Sequence, residues 1–189
     1  MTKAIATYAL IGINIIIFIA ESVSGGSTNR QVALKFGAYY APYIERGQWY
    51  RLFTAMFLHF GYLHLVCNMY SLYNIGQALE IFFGVPVFLF LYLFSGLAGN
   101  ILTYFAGRRT GRNTVSAGAS GAIFGLFGSY LVLALWPGIR GASLNGIIQV
   151  LAINMFYTIA NRGRINVMAH LGGLIGGAAV TCILLLVLI

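Results

Sequence analysis

Aspartate does not occur in this sequence, and the acidic side chains are Glu21, Glu45 and Glu80 alone. That scarcity excludes two hydrolytic designs. An aspartyl protease working inside a membrane needs two carboxylates, usually Asp, deep in a helical bundle. A Ser-His-Asp triad in its usual form has no third member to draw on. No HExxH pair for zinc occurs either, the histidines being His59, His64 and His170, and no metal or organic cofactor is implied. Charge of any kind is sparse, at 7% of residues against about 25% in a soluble domain. With 60% hydrophobic residues and a mean hydropathy of +0.87, the chain cannot cover a water-facing surface. It reads as an integral, multi-pass membrane protein whose first partner is the lipid bilayer. The net charge of +8 comes from 11 basic residues. Nearly all lie between apolar runs, as loop and headgroup-facing charges do. A nucleic-acid binder needs a basic stripe on a soluble face, and none is present. Cys67 and Cys182 fall inside apolar runs and read as small buried hydrophobes rather than as a disulfide.

What is present is a series of apolar segments. A spanning helix needs about 20 mostly apolar residues. The runs predict helices over about 4–20, 62–83, 85–106, 119–136, 144–160 and 167–189. The fourth and fifth are short, which suits helices that start or end below the surface. The expected fold is an all-α membrane protein, a polytopic bundle of six transmembrane helices in one domain over 1–189. The first run exceeds the 7–15 residues of a signal-peptide core and is read as an uncleaved helix. The long connection over about 25–61 mixes Tyr39, Tyr40, Tyr43, Trp49 and Tyr50 with Arg30, Lys35, Glu45, Arg46 and Arg51. That mixture suits a segment lying in the membrane interface.

Polar groups inside apolar helices are costly, so each is a functional candidate or a packing device. Ser120 lies in Gly118-Ala119-Ser120-Gly121 at the start of the fourth run. A serine there has backbone N–H groups beside it, and a helix N-terminus favours developing negative charge. Flanking glycines permit a tight entry and close substrate approach. Alone, such a serine reads better as a helix-packing residue. His170 begins the last run, with Gly173 and Gly177 at i+3 and i+7 on its face. Gly121, Gly125 and Gly128 line the fourth run. Two glycine faces can dock and bring Ser120 within reach of His170, although a packing histidine bonded to a carbonyl remains an even alternative. His64 and Asn68 stand at i and i+4 on the second run. With the Ser120 amide they can cradle an oxyanion, or they hold helices together by hydrogen bonds. His59 precedes that helix and is placed near the interface.

Together these motifs resemble the rhomboid family of intramembrane serine proteases. Gly118-Ala119-Ser120-Gly121 is similar to the rhomboid GxSG. His64-Leu65-Val66-Cys67-Asn68 resembles its HxxxN, and Ala169-His170 with Gly173 and Gly177 its AHxxGxxxG. Trp49-Tyr50-Arg51 is similar to the tryptophan-arginine element of the first loop, with Tyr50 intervening. The match spans roughly 46–178 in the family's order. The resemblance implies a bacterial-type six-helix core in a cell (inner) membrane, and a Ser-His dyad that cleaves transmembrane segments of substrate proteins. Ser120 is then the nucleophile and His170 its base. His64, Asn68 and the Ser120 amide form the oxyanion site, and Phe124 stacks on the His170 ring. Arg51 and Glu80 hold the first loop and second helix. No third catalytic residue is needed, so the missing Asp fits.

Two other classes compete. A catalytically silent rhomboid-like helix binder typically loses the serine or histidine, and both are present. A small transporter more often shows repeats and paired mid-membrane charges, whereas Glu80 is the only acidic residue expected near the interior of a span. One feature opposes the resemblance. Family topology with a cytoplasmic N-terminus opens the active site outward, on loops holding Arg30, Lys35, Arg46, Arg51, Arg108, Arg109, Arg112, Arg162 and Arg164. Only Lys3 and Arg140 lie on the other side. The positive-inside rule favours the reverse; the family topology is the expectation retained.

Overall fold

The structure, a computed structural model, describes residues 4–111, 113–139, 147–154 and 166–188. Helix α1 (Ile5–Val23) is an apolar run without a breaker. It ends where Gly25 and Gly26 take positive φ. The first loop is not featureless. Helix α2 (Arg30–Phe36) opens on Asn29, whose side chain accepts the Gln31 N–H, and closes on left-handed Gly37. Two short helices follow, α3 (Ala41–Ile44) and α4 (Arg51–Thr54), the latter tightening into a 3-10 turn over Ala55–Phe57.

Helix α5 (Tyr62–Ser71) passes through a π-turn at Leu72–Gly76 into α6 (Gln77–Phe83). This stretch is bent by 91° from Arg51–Phe57. Gly84, at φ +77°, and Pro86 then start α7 (Val85–Thr110), because proline in a first turn forfeits no helical bond. Helix α8 (Ser120–Leu135), α9, described over 147–154, and α10 (Val167–Leu188) complete the order. The described residues form no β-strand, only an isolated bridge between Tyr39 and Ser116.

Three described helices are long and apolar enough to cross a membrane: Ile5–Val23, Val85–Thr110 and Val167–Val187. A fourth joins them if the bent pair Arg51–Phe57 and Tyr62–Phe83 counts as one span. Helix α8 has 16 residues, a length of about 24 Å at 1.5 Å per residue, short of a bilayer core of about 30 Å. The fifth predicted run is described only in part, 144–146 and 155–160 lying outside the described residues. The loop cations Lys3, Arg112, Arg140, Arg162 and Arg164 also lie outside them.

One expectation is corrected. Helix α1 runs a turn beyond position 20, so Glu21 is inside it and fully buried; Glu80 is not the only acidic group within an apolar helix. His59 is buried within the protein as well, its N–H reaching Glu21 in the last turn of α1.

The core of the bundle is α7, α8 and α10 packed backbone to backbone. A Cβ on Gly173 would meet the Gly121 carbonyl, and one on Gly177 the Gly125 carbonyl. On the other side of α10, a Cβ on Gly172 would lie 2.9 Å from the Ala98 carbonyl of α7. In lipid, helices associate by such close packing rather than by hydrophobic burial. Ser129 Oγ adds a hydrogen bond of 3.1 Å to the Gly177 carbonyl.

Helix α1 is attached differently. Glu80, 4% exposed, accepts the Ala6 N–H at 2.8 Å, the Thr7 N–H at 2.7 Å and the Thr7 hydroxyl at 2.7 Å. A carboxylate thus satisfies orphan amides at a helix N-terminus and complements its dipole. In the first loop, buried Arg51 donates from Nη1 to the Leu34 and Ala38 carbonyls and from Nε to Gln48. Its guanidinium lies 4.9 Å from the Tyr43 ring centroid. Trp49, Tyr50 and Phe53 of the same loop are exposed. Burial, with smaller contributions from Tyr104 and Glu45, pushes the Tyr39 phenol up to about 12, so this anchor of the loop stays neutral.

Candidate active site

Ser120 is the first residue of α8, and its placement depends on the residue two before it. Gly118 has φ +138°, a conformation that favours glycine, and donates its N–H to the Ala55 carbonyl at 2.9 Å. A Cβ there would stand 2.8 Å from both Cε1 and Nε2 of His64. Glycine therefore serves the turn and also lets the His64 ring approach the start of α8.

His170 sits in the first turn of α10, with its Nε2 2.9 Å from Ser120 Oγ. That distance is a normal hydrogen bond between an imidazole and a hydroxyl. The glycine seam of Gly121, Gly173 and Gly177 makes it possible, since side chains there would hold α8 and α10 apart. Phe124, one turn after Ser120, lies parallel to the imidazole, with centroids 4.1 Å apart and planes 7° from parallel. His170 is 7% exposed.

Helix α10 is anchored just before His170. Asn166 Oδ1 accepts the Ala169 N–H at 3.1 Å and the Thr103 hydroxyl at 3.0 Å, while Nδ2 donates to Ser116 Oγ at 3.1 Å. One side chain thus joins α10, α7 and the loop leading to Ser120. Sequence reasoning passed over Asn166. Its signal was an Asn immediately ahead of an apolar run, a helix-start pattern.

On α5, His64 Nδ1 accepts the Phe60 N–H at 3.3 Å. In a neutral imidazole the proton then resides on Nε2, the nitrogen beside Gly118. Asn68, one turn later, is 2% exposed, and its Nδ2 is buried without a hydrogen-bond partner among the described residues. A buried unpaired donor is costly, and a catalytic role is one of the explanations for such a group.

The structure therefore brings Ser120, His170, Phe124, Gly118 and His64 together. Arg51 and Glu80 stand apart, the first inside the first loop and the second against α1. Among the described residues no group of three His, Cys, Asp or Glu side chains is placed to hold a metal ion. Chemically the centre offers a hydroxyl on a helix N-terminus, an imidazole in hydrogen-bond contact with it, and the His64 ring of α5 beside Gly118. Those are the parts of a nucleophilic acyl-transfer site.

Comparison with known proteins points the same way. The family model of the Rhomboid domain matches residues 46–187. The chain is 38% identical over 178 residues to rhomboid protease GluP of Bacillus subtilis (strain 168), covering 93% of this chain and 34% of that protein. It is 42% identical over 136 residues to putative rhomboid protease YdcA of the same organism, covering 71% of this chain and 66% of that protein. It is 35% identical over 156 residues to RHOMBOID-like protein 5 of Arabidopsis thaliana, covering 80% of this chain and 49% of that protein. The chain thus spans less than two thirds of each of these relatives.

Proposed function

The chain belongs to the rhomboid family, and from that membership we propose that it is an intramembrane serine endopeptidase using Ser120 and His170 as a dyad. The observation that carries the reading is the 2.9 Å contact between Ser120 Oγ and His170 Nε2. His170 Nε2 takes the proton as Ser120 Oγ bonds to the scissile carbonyl carbon. The carbonyl electron pair becomes an oxyanion, held by the Ser120 N–H, His64 Nε2–H and Asn68 Nδ2–H. Collapse of this intermediate expels the amine, which receives the proton from His170. Water, deprotonated by the same imidazole, then hydrolyses the acyl-enzyme.

Each part has a physical weight. General-base action supplies about 10²–10⁴-fold, and one oxyanion donor about 3–4 kcal/mol. Phe124 fixes the ring plane of His170, and Gly118, Gly121, Gly173 and Gly177 allow the elements to close. Arg51 holds the first loop, and Glu80 fastens α6 to α1. Substrates are proteins with a transmembrane segment whose helix unwinds readily and carries a small residue before the cut. The reading includes one domain over 1–189 with six spanning helices, α8 and the helix containing α9 being the fourth and fifth. It places the enzyme in a bacterial cell membrane, with the active-site end opposite the N-terminus.

The test is cleavage of a single-span model substrate by purified wild-type and Ser120→Ala protein in detergent. Cleavage by the wild type alone is the expected result. Equal cleavage by both proteins would overturn the reading.

A further inference from the structure

Glu21, in the last turn of α1, lies outside the residues 46–187 that the family model matches and has no part in the reaction described above. It is nonetheless fully buried. Its Oε2 accepts the backbone N–H of His59 at 3.1 Å, 38 residues away in sequence. The next amide along the chain, Phe60 N–H, is the donor to His64 Nδ1 at 3.3 Å. Two successive amides in the turn before α5 therefore have different acceptors, one the Glu21 side chain of α1 and the other the histidine proposed for the oxyanion site. The His59 ring, fully buried, packs edge-on against the His64 ring with centroids 5.1 Å apart. The turn is closed by the Gly61 N–H on the His59 carbonyl at 3.1 Å.

We propose that Glu21 is a positioning residue for the oxyanion site, acting through the His59–Phe60 turn to fix the tautomer and orientation of His64. The Glu21 carboxyl oxygen gives that amide a fixed acceptor from a second helix. The Leu58–His59 peptide plane is thereby locked, and through the backbone of His59, whose carbonyl accepts the Gly61 N–H, that constraint passes to the next peptide and the direction of the Phe60 N–H. That direction keeps the His64 proton on Nε2, where it faces Gly118 and the start of α8. With Glu21 removed, the peptide plane is released, and His64 samples rotations and the other tautomer. The ground state binds substrate as before, but the oxyanion loses a preorganised donor. The effect therefore falls on kcat rather than on KM.

The inference rests on the oxyanion role proposed for His64, so the experiment separates the two. Single-turnover cleavage is measured for wild type, Glu21→Ala, His64→Ala and the double variant in one detergent preparation. We expect Glu21→Ala to lower kcat about tenfold with KM unchanged, and to lower it less than about twofold in the His64→Ala background, since residues acting through one another are not additive. Glu21→Gln, which keeps an acceptor oxygen at the same reach, is expected to retain activity within about threefold of wild type. If Glu21→Ala does not fold, Glu21→Asp, one methylene short of the His59 amide, enters the same cycle. Equal losses in both backgrounds, a loss confined to KM, or wild-type rates overturn the inference while leaving the protease reading intact. Cleavage that does not depend on His64 overturns the oxyanion assignment and this inference together.

Discussion

Phe124 lies flat on His170, its ring centroid 4.1 Å from that of the imidazole and the planes 7° apart. The contact stiffens the imidazole whose Nε2 lies 2.9 Å from Ser120 Oγ. In the proposed mechanism it also gains strength as the reaction proceeds, because a protonated imidazole over an aromatic face is a cation–π pair. Stabilisation that grows toward the transition state raises kcat. Phe124→Ala is expected to lower kcat about tenfold, from a contact of about 0.5–1.5 kcal/mol, with KM nearly unchanged. Phe124→Tyr keeps the ring and should keep most of the rate. Steady-state cleavage assays on the three proteins check both outcomes.

The dyad should be absolute. In the proposed mechanism Ser120 and His170 each make or move a bond, and Ser120→Ala and His170→Ala are each expected to abolish cleavage. The close backbone packing of α8 on α10 at Gly121, Gly125, Gly173 and Gly177 is untouched, so circular dichroism and gel filtration in detergent should match wild type. Labelling of wild-type Ser120 by a serine-reactive phosphonate, absent in Ser120→Ala and strongly reduced in His170→Ala, provides a substrate-independent check.

The seam between α8 and α10 predicts a stability difference between glycines. A Cβ on Gly173 would run into the Gly121 carbonyl, whereas one on Gly12 of α1 meets nothing within 4 Å. Backbone cannot yield as a side chain does, so Gly173→Ala should destabilise by about 1–3 kcal/mol or more and separate Ser120 from His170. Gly12→Ala should be neutral or stabilising by about 0.5–1 kcal/mol, as expected for Gly→Ala within a helix. Unfolding in mixed micelles measures both. A tolerated Gly173→Ala would contradict the packing.

Much of this site was legible in the sequence because membrane helices leave few polar residues to choose from. Ser120, His64, Asn68 and His170 stand out against apolar runs, and glycines at i+3 and i+7 from His170 mark the face that packs. The turn before α5 was harder to read. His59 precedes its helix and looks interfacial, and its burial depends on α1 reaching Glu21 beneath it, a contact 38 residues distant in sequence. The cap by Asn166 was hidden for a similar reason, since its partners Thr103 and Ser116 come from α7 and the following loop. Gly172 was unread because periodicity assigned α10 one packing face, while the helix has two, toward α8 and toward α7. Helix lengths were the least exact: α1 and α7 each run beyond the predicted end, to Val23 and Thr110, because Gly107 stays helical and the glycines that take positive φ are Gly25 and Gly111.

Glu80 should matter for stability more than for chemistry. Its carboxylate takes two amides and a hydroxyl from the first turn of α1. Glu80→Ala leaves those donors buried and unpaired, at a cost of about 2–4 kcal/mol. Glu80→Gln, with one acceptor oxygen, should fall between Ala and wild type. The expected signature is a lowered thermal midpoint with kcat preserved below the transition, measured on the same preparations.

Asn68 should show the opposite signature. Its Nδ2 is buried and unpaired among the described residues, so the folded protein gains nothing from that donor and bears its desolvation. Asn68→Ala is therefore expected to leave stability unchanged or to raise it by about 1 kcal/mol, the lower end of the penalty for an unsatisfied buried group. Chemistry should suffer, because an oxyanion is the partner the amide lacks at rest. Removing one such donor costs about 10²–10³ in kcat in a site with few alternatives. Here His64 and the Ser120 amide remain, so the loss should lie near the lower figure and well short of that caused by Ser120→Ala or His170→Ala. The decisive measurement pairs unfolding in micelles with single-turnover cleavage. A variant that is stable but slow would support the oxyanion role, whereas one that is unstable and fully active once folded would make Asn68 a packing residue.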